Sequence, residues 1–180
     1  MKITIPQIRQ ILFTTDLSQQ TRHAFAHAVG IADRYGAALT ILYVMDDVTP
    51  TAAQSANLQA FIGEERWQAL RRAHEDEIRQ ILIGKRRESG LIREALGEMV
   101  TAAQQDCPDR HLQPDEIVVL QGDAVDCILA EAESRGVDLI VMGYHARGRL
   151  EEAIAGSVSR SVLRRTHVPV LLVRLPDRME

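Results

Sequence analysis

Long apolar runs are missing from this chain of 180 residues: the longest, Ile41-Leu42-Tyr43-Val44-Met45, has five residues. A membrane-spanning helix needs roughly 20, so no α-helical span and no membrane partner are expected. The first residues, Met1-Lys2-Ile3-Thr4-Ile5-Pro6, lack the apolar stretch and small-residue cleavage site of a secretory signal, and the expected location is the cytoplasm. Basic runs are short as well. None exceeds Lys85-Arg86-Arg87, and 21 basic against 25 acidic residues leave a formal charge of -4. Nucleic-acid binding needs a concentrated basic face to neutralise phosphates, so no nucleic-acid partner is expected. The two cysteines, Cys107 and Cys127, have no metal-like spacing to histidine and read as reduced bystanders. What the chain does have is 46% hydrophobic and 26% charged residues, the balance of one soluble domain with a full core, spanning 1–180.

Short β-rich runs alternate with longer helical patterns. Ile11-Leu12-Phe13-Thr14-Thr15 is apolar without alternation, as in a strand covered on both faces, and Asp16 ends it. Ala24, Ala28, Ile31, Ala32 and Tyr35 recur at helical spacing, and Gly36 follows as a C-terminal cap. A second strand runs through Leu39-Thr40-Ile41-Leu42-Tyr43-Val44. From 46 to 114 no strong strand pattern occurs. Trp67, Leu70, His74, Ile78, Ile81 and Leu82 form one helical stripe, Leu91, Ala95, Leu96, Met99 and Ala103 another, and residues 84–90 read as the break between them. Residues 49–57, rich in Thr, Ala, Gln and Ser, read as a loop. Strands at 116–120, 138–142 and 168–173 complete the set, with Gly122 as a turn, Asp123 as an N-cap and Gly136 closing the intervening helix. Pro169 marks the last strand as an edge.

Five strands alternating with helices imply an α/β fold, an open five-stranded parallel sheet with helices on both faces, Rossmann-like and doubly wound. The segment between strands 2 and 3 is enlarged. Such sheets bind ligands beyond the carboxyl ends of their strands, where strand order reverses, which directs attention to Asp16, Val44, Gly122 and Gly143. After Gly143, Gly156-Ser157-Val158-Ser159 opens a helix. A helix start offers unpaired N–H groups and a positive dipole end, suited to anionic oxygens. The same residues also suit a plain helix cap at Ser157 or Ser159.

The whole arrangement resembles the universal stress protein family, single-domain adenine-nucleotide-binding α/β proteins. The marks are Thr14-Thr15-Asp16-Leu17-Ser18, Leu42-Tyr43-Val44, Gly122-Asp123-Ala124, Val137-Asp138-Leu139-Ile140-Val141-Met142-Gly143, and Gly156-Ser157-Val158-Ser159 followed by Val168-Pro169-Val170-Leu171-Leu172-Val173. They cover most of 10–174. The ATP-binding members carry G-x-x-G-x9-G-[ST]; Gly143, Gly156 and Ser157 match it, while Ala146 stands at the second glycine and Gly148 follows two positions later. If that position needs positive φ, alanine there is strained by about 1 kcal/mol or more; if it needs only close approach, one methyl is accommodated.

The resemblance implies a site. Thr14, Thr15 and Asp16 would face the nucleoside, Asp16 also serving as a cap for the first helix. Val44 would line the adenine pocket, Met142, Gly143 and Ala146 would border ribose and phosphate, and Gly156, Ser157, Val158 and Ser159 would donate to the phosphate chain. ATP or a related adenylate, with Mg2+ carried on the phosphates, is the implied cofactor. His145 and Arg147 share that loop and read as solvated residues. The implied function is a nucleotide-binding stress-response regulator acting as a homodimer through Val170-Leu171-Leu172-Val173, an edge otherwise open to aggregation. No catalytic or metal-ligating set is expected. Two alternatives stand beside it: a slow ATPase with Asp16 or His145 orienting water, and an interaction protein of the same fold that recruits a protein partner through 46–114. Other constellations carry less. His23 and His27 lie one turn apart but with Ala24 between, unlike H-E-x-x-H; His74 beside Glu75 and Glu77 sits on an apolar stripe; Gly84-Lys85 lacks the Walker context.

Overall fold

The computed structural model describes residues 6–45, 65, 68, 85–106, 114, 116–145 and 156–176. In chain order the elements are β1 (Gln10–Thr15), α1 (Thr21–Tyr35), β2 (Ala38–Met45), α2 (Lys85–Asp106), β3 (Glu116–Gln121), α3 (Ala124–Ser134), β4 (Leu139–Tyr144), α4 (Ser157–Arg165) and β5 (Val170–Arg174). The strands form one five-stranded sheet in the order β3-β2-β1-β4-β5, with every pairing parallel. The α/β, doubly wound expectation is met, and β5 lies at an edge as Pro169 suggested. Pro169 itself precedes the strand, its carbonyl accepting the Ile140 N–H at 2.9 Å.

Each strand sends alternate side chains to opposite faces, and both faces are covered. Ile11, Phe13, Leu39, Ile41, Tyr43, Val119, Val141 and Val173 join one buried cluster with α1 and α2. Leu12, Leu42, Val118, Ile140 and Met142 join a second with Val125, Ile128 and Ala132 of α3 and Val162 of α4. Burial on both sides is why these strands read as continuous apolar runs rather than alternating ones.

Caps end the helices where the residue types allow. Gly36 takes φ +61° after α1 and Gly136 takes φ +60° after α3, both in the left-handed region that glycine enters without steric cost. Asp123 caps α3, its carboxylate accepting the Asp126 N–H at 3.0 Å. At the amino ends of the central strands, Asp138 Oδ2 accepts from the Arg9 and Gln10 N–H groups at 2.7 and 3.0 Å and clamps β4 to β1.

Some expectations need correction. Residues 85–90 are helical and belong to α2 rather than to a break; Lys, Arg and Glu are good helix formers, and a polar run on a helix shows no apolar period. Tyr35 is 58% exposed, so the buried face of α1 consists of Ala24, Phe25, Ala28, Val29 and Ala32. Strand β4 continues through Gly143 and Tyr144 instead of releasing at Gly143. The Trp67 stripe, the 49–57 loop, Cys107, Ala146 and Arg147 lie outside the described residues. No described helix is long and apolar enough to cross a membrane.

Candidate functional site at the carboxyl ends of β1 and β4

The chain lays β2 and then β3 on one side of β1, and returns to place β4 and β5 on the other. The order therefore reverses between β1 and β4. Helices α1 and α4, which follow those two strands, pack on opposite faces of the sheet, and in folds of this kind the carboxyl end of such a reversal is where ligands bind.

The β1–α1 loop builds one wall. Thr14 is the last residue of β1 paired on both sides, to Leu42 of β2 and Met142 of β4. Thr15 Oγ1 accepts the Leu17 N–H at 3.0 Å, and Asp16 Oδ1 accepts the Ser18 N–H at 2.9 Å and the Thr21 hydroxyl at 2.6 Å. These bonds fold the chain sharply: Leu17 takes φ +60° and turns into the core at 2% exposure, while Asp16 stays at the surface. Asp16 is not the cap of α1. Gln20 occupies that position, and no side chain caps the helix there.

Burial pushes the Asp16 carboxyl up, but the Thr21 hydroxyl, the Ser18 amide and hydroxyl, and the charge of His145 together outweigh it and hold it below its ordinary value of 3.8. The carboxylate is ionised at neutral pH, and His145, the first residue beyond β4, is near enough to act on it electrostatically.

Val44 stands one residue before the end of β2, opposite Leu120 and packed against the second cluster. Met142 is 4% exposed, lies between Thr14 and Leu172 in the sheet and packs in the second cluster. Gly143 pairs with Val173; a Cβ on it would come within 2.8 Å of Leu175 Cδ2. Its role in this fold is to admit Leu175, whose N–H donates to the Tyr144 carbonyl at 2.8 Å.

The other wall begins at α4. Gly156 is its N-cap in an extended conformation with no side-chain cap bond, and a Cβ there would meet nothing within 4 Å. Neither Ser157 nor Ser159 caps the helix; Ser157 is its first residue and exposed, Val158 is half-buried, and Ser159 is buried. Helix α4 runs back to feed the parallel strand β5, so its amino end lies at the same carboxyl end of the sheet as Asp16. Gly156 has no side chain to cap the first N–H groups of α4, and such groups, with the positive end of a helix dipole, suit an anion.

The structure thus gathers Thr14, Thr15, Asp16, Met142 and Gly143 around one strand pair, with Val44 on the adjoining strand and Gly156 to Ser159 at the same carboxyl end. Sequence reasoning missed Thr21 and Leu175. For Thr21 the signal was the Ser18-x-x-Thr21 spacing ahead of a helix; nothing in the sequence announces the contact of Leu175 with Gly143.

A doubly wound open sheet with its crevice at the β1/β4 reversal is the class of fold defined here. Within it, the chain belongs to the universal stress protein family, whose description matches residues 7–174. It is similar to universal stress protein MJ0531 of Methanocaldococcus jannaschii, 29% identical over 170 residues, covering 94% of this chain and 84% of that protein. Its fold is similar to the solved structure of MJ0577, with a TM-score of 0.57 at 22% identity, covering 96% of this chain and all of that one. It is likewise similar to a universal stress protein solved in complex with cAMP, with a TM-score of 0.54 at 20% identity, covering 95% of this chain.

Proposed function

We propose that this chain is a cytoplasmic stress-response regulator that binds an adenine nucleotide, ATP or a related adenylate, and works as a homodimer. The observation that carries the reading is the start of α4, where Gly156 offers no side-chain cap, at the same end of the sheet as the ionised Asp16. Phosphate oxygens would take the N–H groups at Gly156, Ser157, Val158 and Ser159. The nucleoside would take Thr14, Thr15 and Asp16, with Val44 against the base and Met142, Gly143 and Ala146 bordering ribose and phosphate. An ionised carboxylate has about four acceptor sites, so Asp16 retains capacity for a ligand hydroxyl or amino group. Mg2+ would travel with the phosphates, as its preference for water and phosphate oxygens dictates. The cAMP complex of a relative supports an adenylate as the ligand class.

The dimer reading rests on β5. Pro169 C=O and Leu175 N–H both bond to β4, and backbone groups alternate along a strand. Val170, Leu172 and Arg174 therefore direct their backbone N–H and C=O off the edge of the sheet, where a second copy would pair with them.

The test is to unfold the purified protein, identify released nucleotide by mass, and titrate ATP with Mg2+ by calorimetry into the wild type and Ala146→Gly. Retained adenylate or micromolar binding by the wild type is expected. Binding that appears only in Ala146→Gly would overturn the reading for the native chain and move the search to a protein partner of 46–114.

A further inference from the structure

We infer that Thr21 is a positioning residue for this site: its buried hydroxyl fixes the direction in which the Asp16 carboxylate meets a ligand donor. The inference rests on the nucleotide reading above. Thr21 is 2% exposed, although it opens a helix at the surface end of the sheet. Its Oγ1 donates to Asp16 Oδ1 at 2.6 Å and lies 2.9 Å from Ser18 Oγ, and its N–H donates to the Ser18 carbonyl at 3.0 Å. Thr21 is thus the point at which the Asp16–Ser18 turn is tied to α1.

The residue type suits the task. The hydroxyl oxygen is bonded directly to Cβ, so its position follows the backbone of α1. That helix is held to the sheet by Ala24, Phe25, Ala28, Val29 and Ala32. The carboxylate consequently takes its orientation from a core helix and not from the loop that carries it. A charged acceptor so fixed loses little freedom when a ligand donor arrives, which is how preorganisation raises affinity. The other residue that lowers Asp16 electrostatically is His145, which lies just beyond β4 and not on α1, so Thr21 supplies the fixed reference.

Thr21→Val, which keeps the shape and removes the donor, and Thr21→Ser, which keeps the donor, separate orientation from packing. Each is read by ATP calorimetry and by carboxyl-carbon NMR titration of Asp16 in the ligand-free protein, with thermal unfolding as the check on folding. Thr21→Val is expected to weaken ATP binding about tenfold, the effect of losing one charge-assisted hydrogen bond, and to raise the Asp16 titration midpoint toward 3.8. Thr21→Ser restores both. Unchanged affinity and midpoint in Thr21→Val, or a loss that Thr21→Ser does not relieve, would overturn the inference. A wild type that takes up no ATP defeats the nucleotide reading alone, and the carboxyl titration then decides whether Thr21 orients Asp16.

Discussion

At Leu17 two opposing energies meet. A non-glycine residue in the left-handed region costs roughly 1–2 kcal/mol, and Leu17 sits there at φ +60°. Burying a leucine contributes about 1.5–3 kcal/mol, and Leu17 is 2% exposed, so burial wins and the strain persists because the core over-determines it. Glycine ordinarily costs about 0.5–1 kcal/mol more than alanine; here the order inverts. Leu17→Ala should lose about 2–5 kcal/mol in denaturant unfolding, and Leu17→Gly should lose no more than that. A larger loss for glycine would contradict the account. One residue earlier, Asp16 has a folded-state carboxyl below its ordinary 3.8. Its contribution to stability is present above that value and is lost as pH falls through the lower, folded one. The stability margin of wild type over Asp16→Asn, small because the residue is at the surface, should therefore be constant near neutral pH and shrink in acid below 3.8. A margin that grows in acid would refute it.

Among the elements, β4 shows how strand pairing and packing share one residue. Gly143 is in the ladder with Val173, and a Cβ there would lie 2.8, 3.0 and 3.1 Å from Cδ2, Cδ1 and Cγ of Leu175. Leu175 is 2% exposed and has little room to withdraw. Gly143→Ala should cost about 1–3 kcal/mol by overpacking, and the Gly143→Ala/Leu175→Ala pair should cost less than the sum of the two single changes. Additive losses would place the strain elsewhere. The same strand marks where reading the sequence stops. The five strands and their parallel arrangement were legible because burial on both faces writes unbroken apolar runs, and Gly36, Asp123 and Gly136 were legible because their residue types fit caps. Gly143 looked like a loop residue because its partner, Leu175, is distant in the chain. The start of α2 was hidden by a charged run with no period, and the full site by Thr21, whose importance lies in a hydroxyl turned inward.

For the molecule as a whole, an open parallel sheet leaves two edges, and β5 is the one whose outward backbone groups fall on Val170, Leu172 and Arg174. Light scattering should give twice the chain mass for the wild type. Leu172→Pro removes an N–H from the middle of that outward row while leaving the pairing to β4 in place, and should give the single-chain mass with an unchanged far-UV spectrum. A persisting dimer would locate the interface elsewhere. The same topology would set the proposed ligand site between β1 and β4. Its most direct test is amide NMR of the assigned protein during titration with ATP and Mg2+. The account predicts shifts concentrated at 14–16, 44, 142–145 and 156–159; shifts gathered at any other part of the sheet, or none at saturating nucleotide, would contradict it.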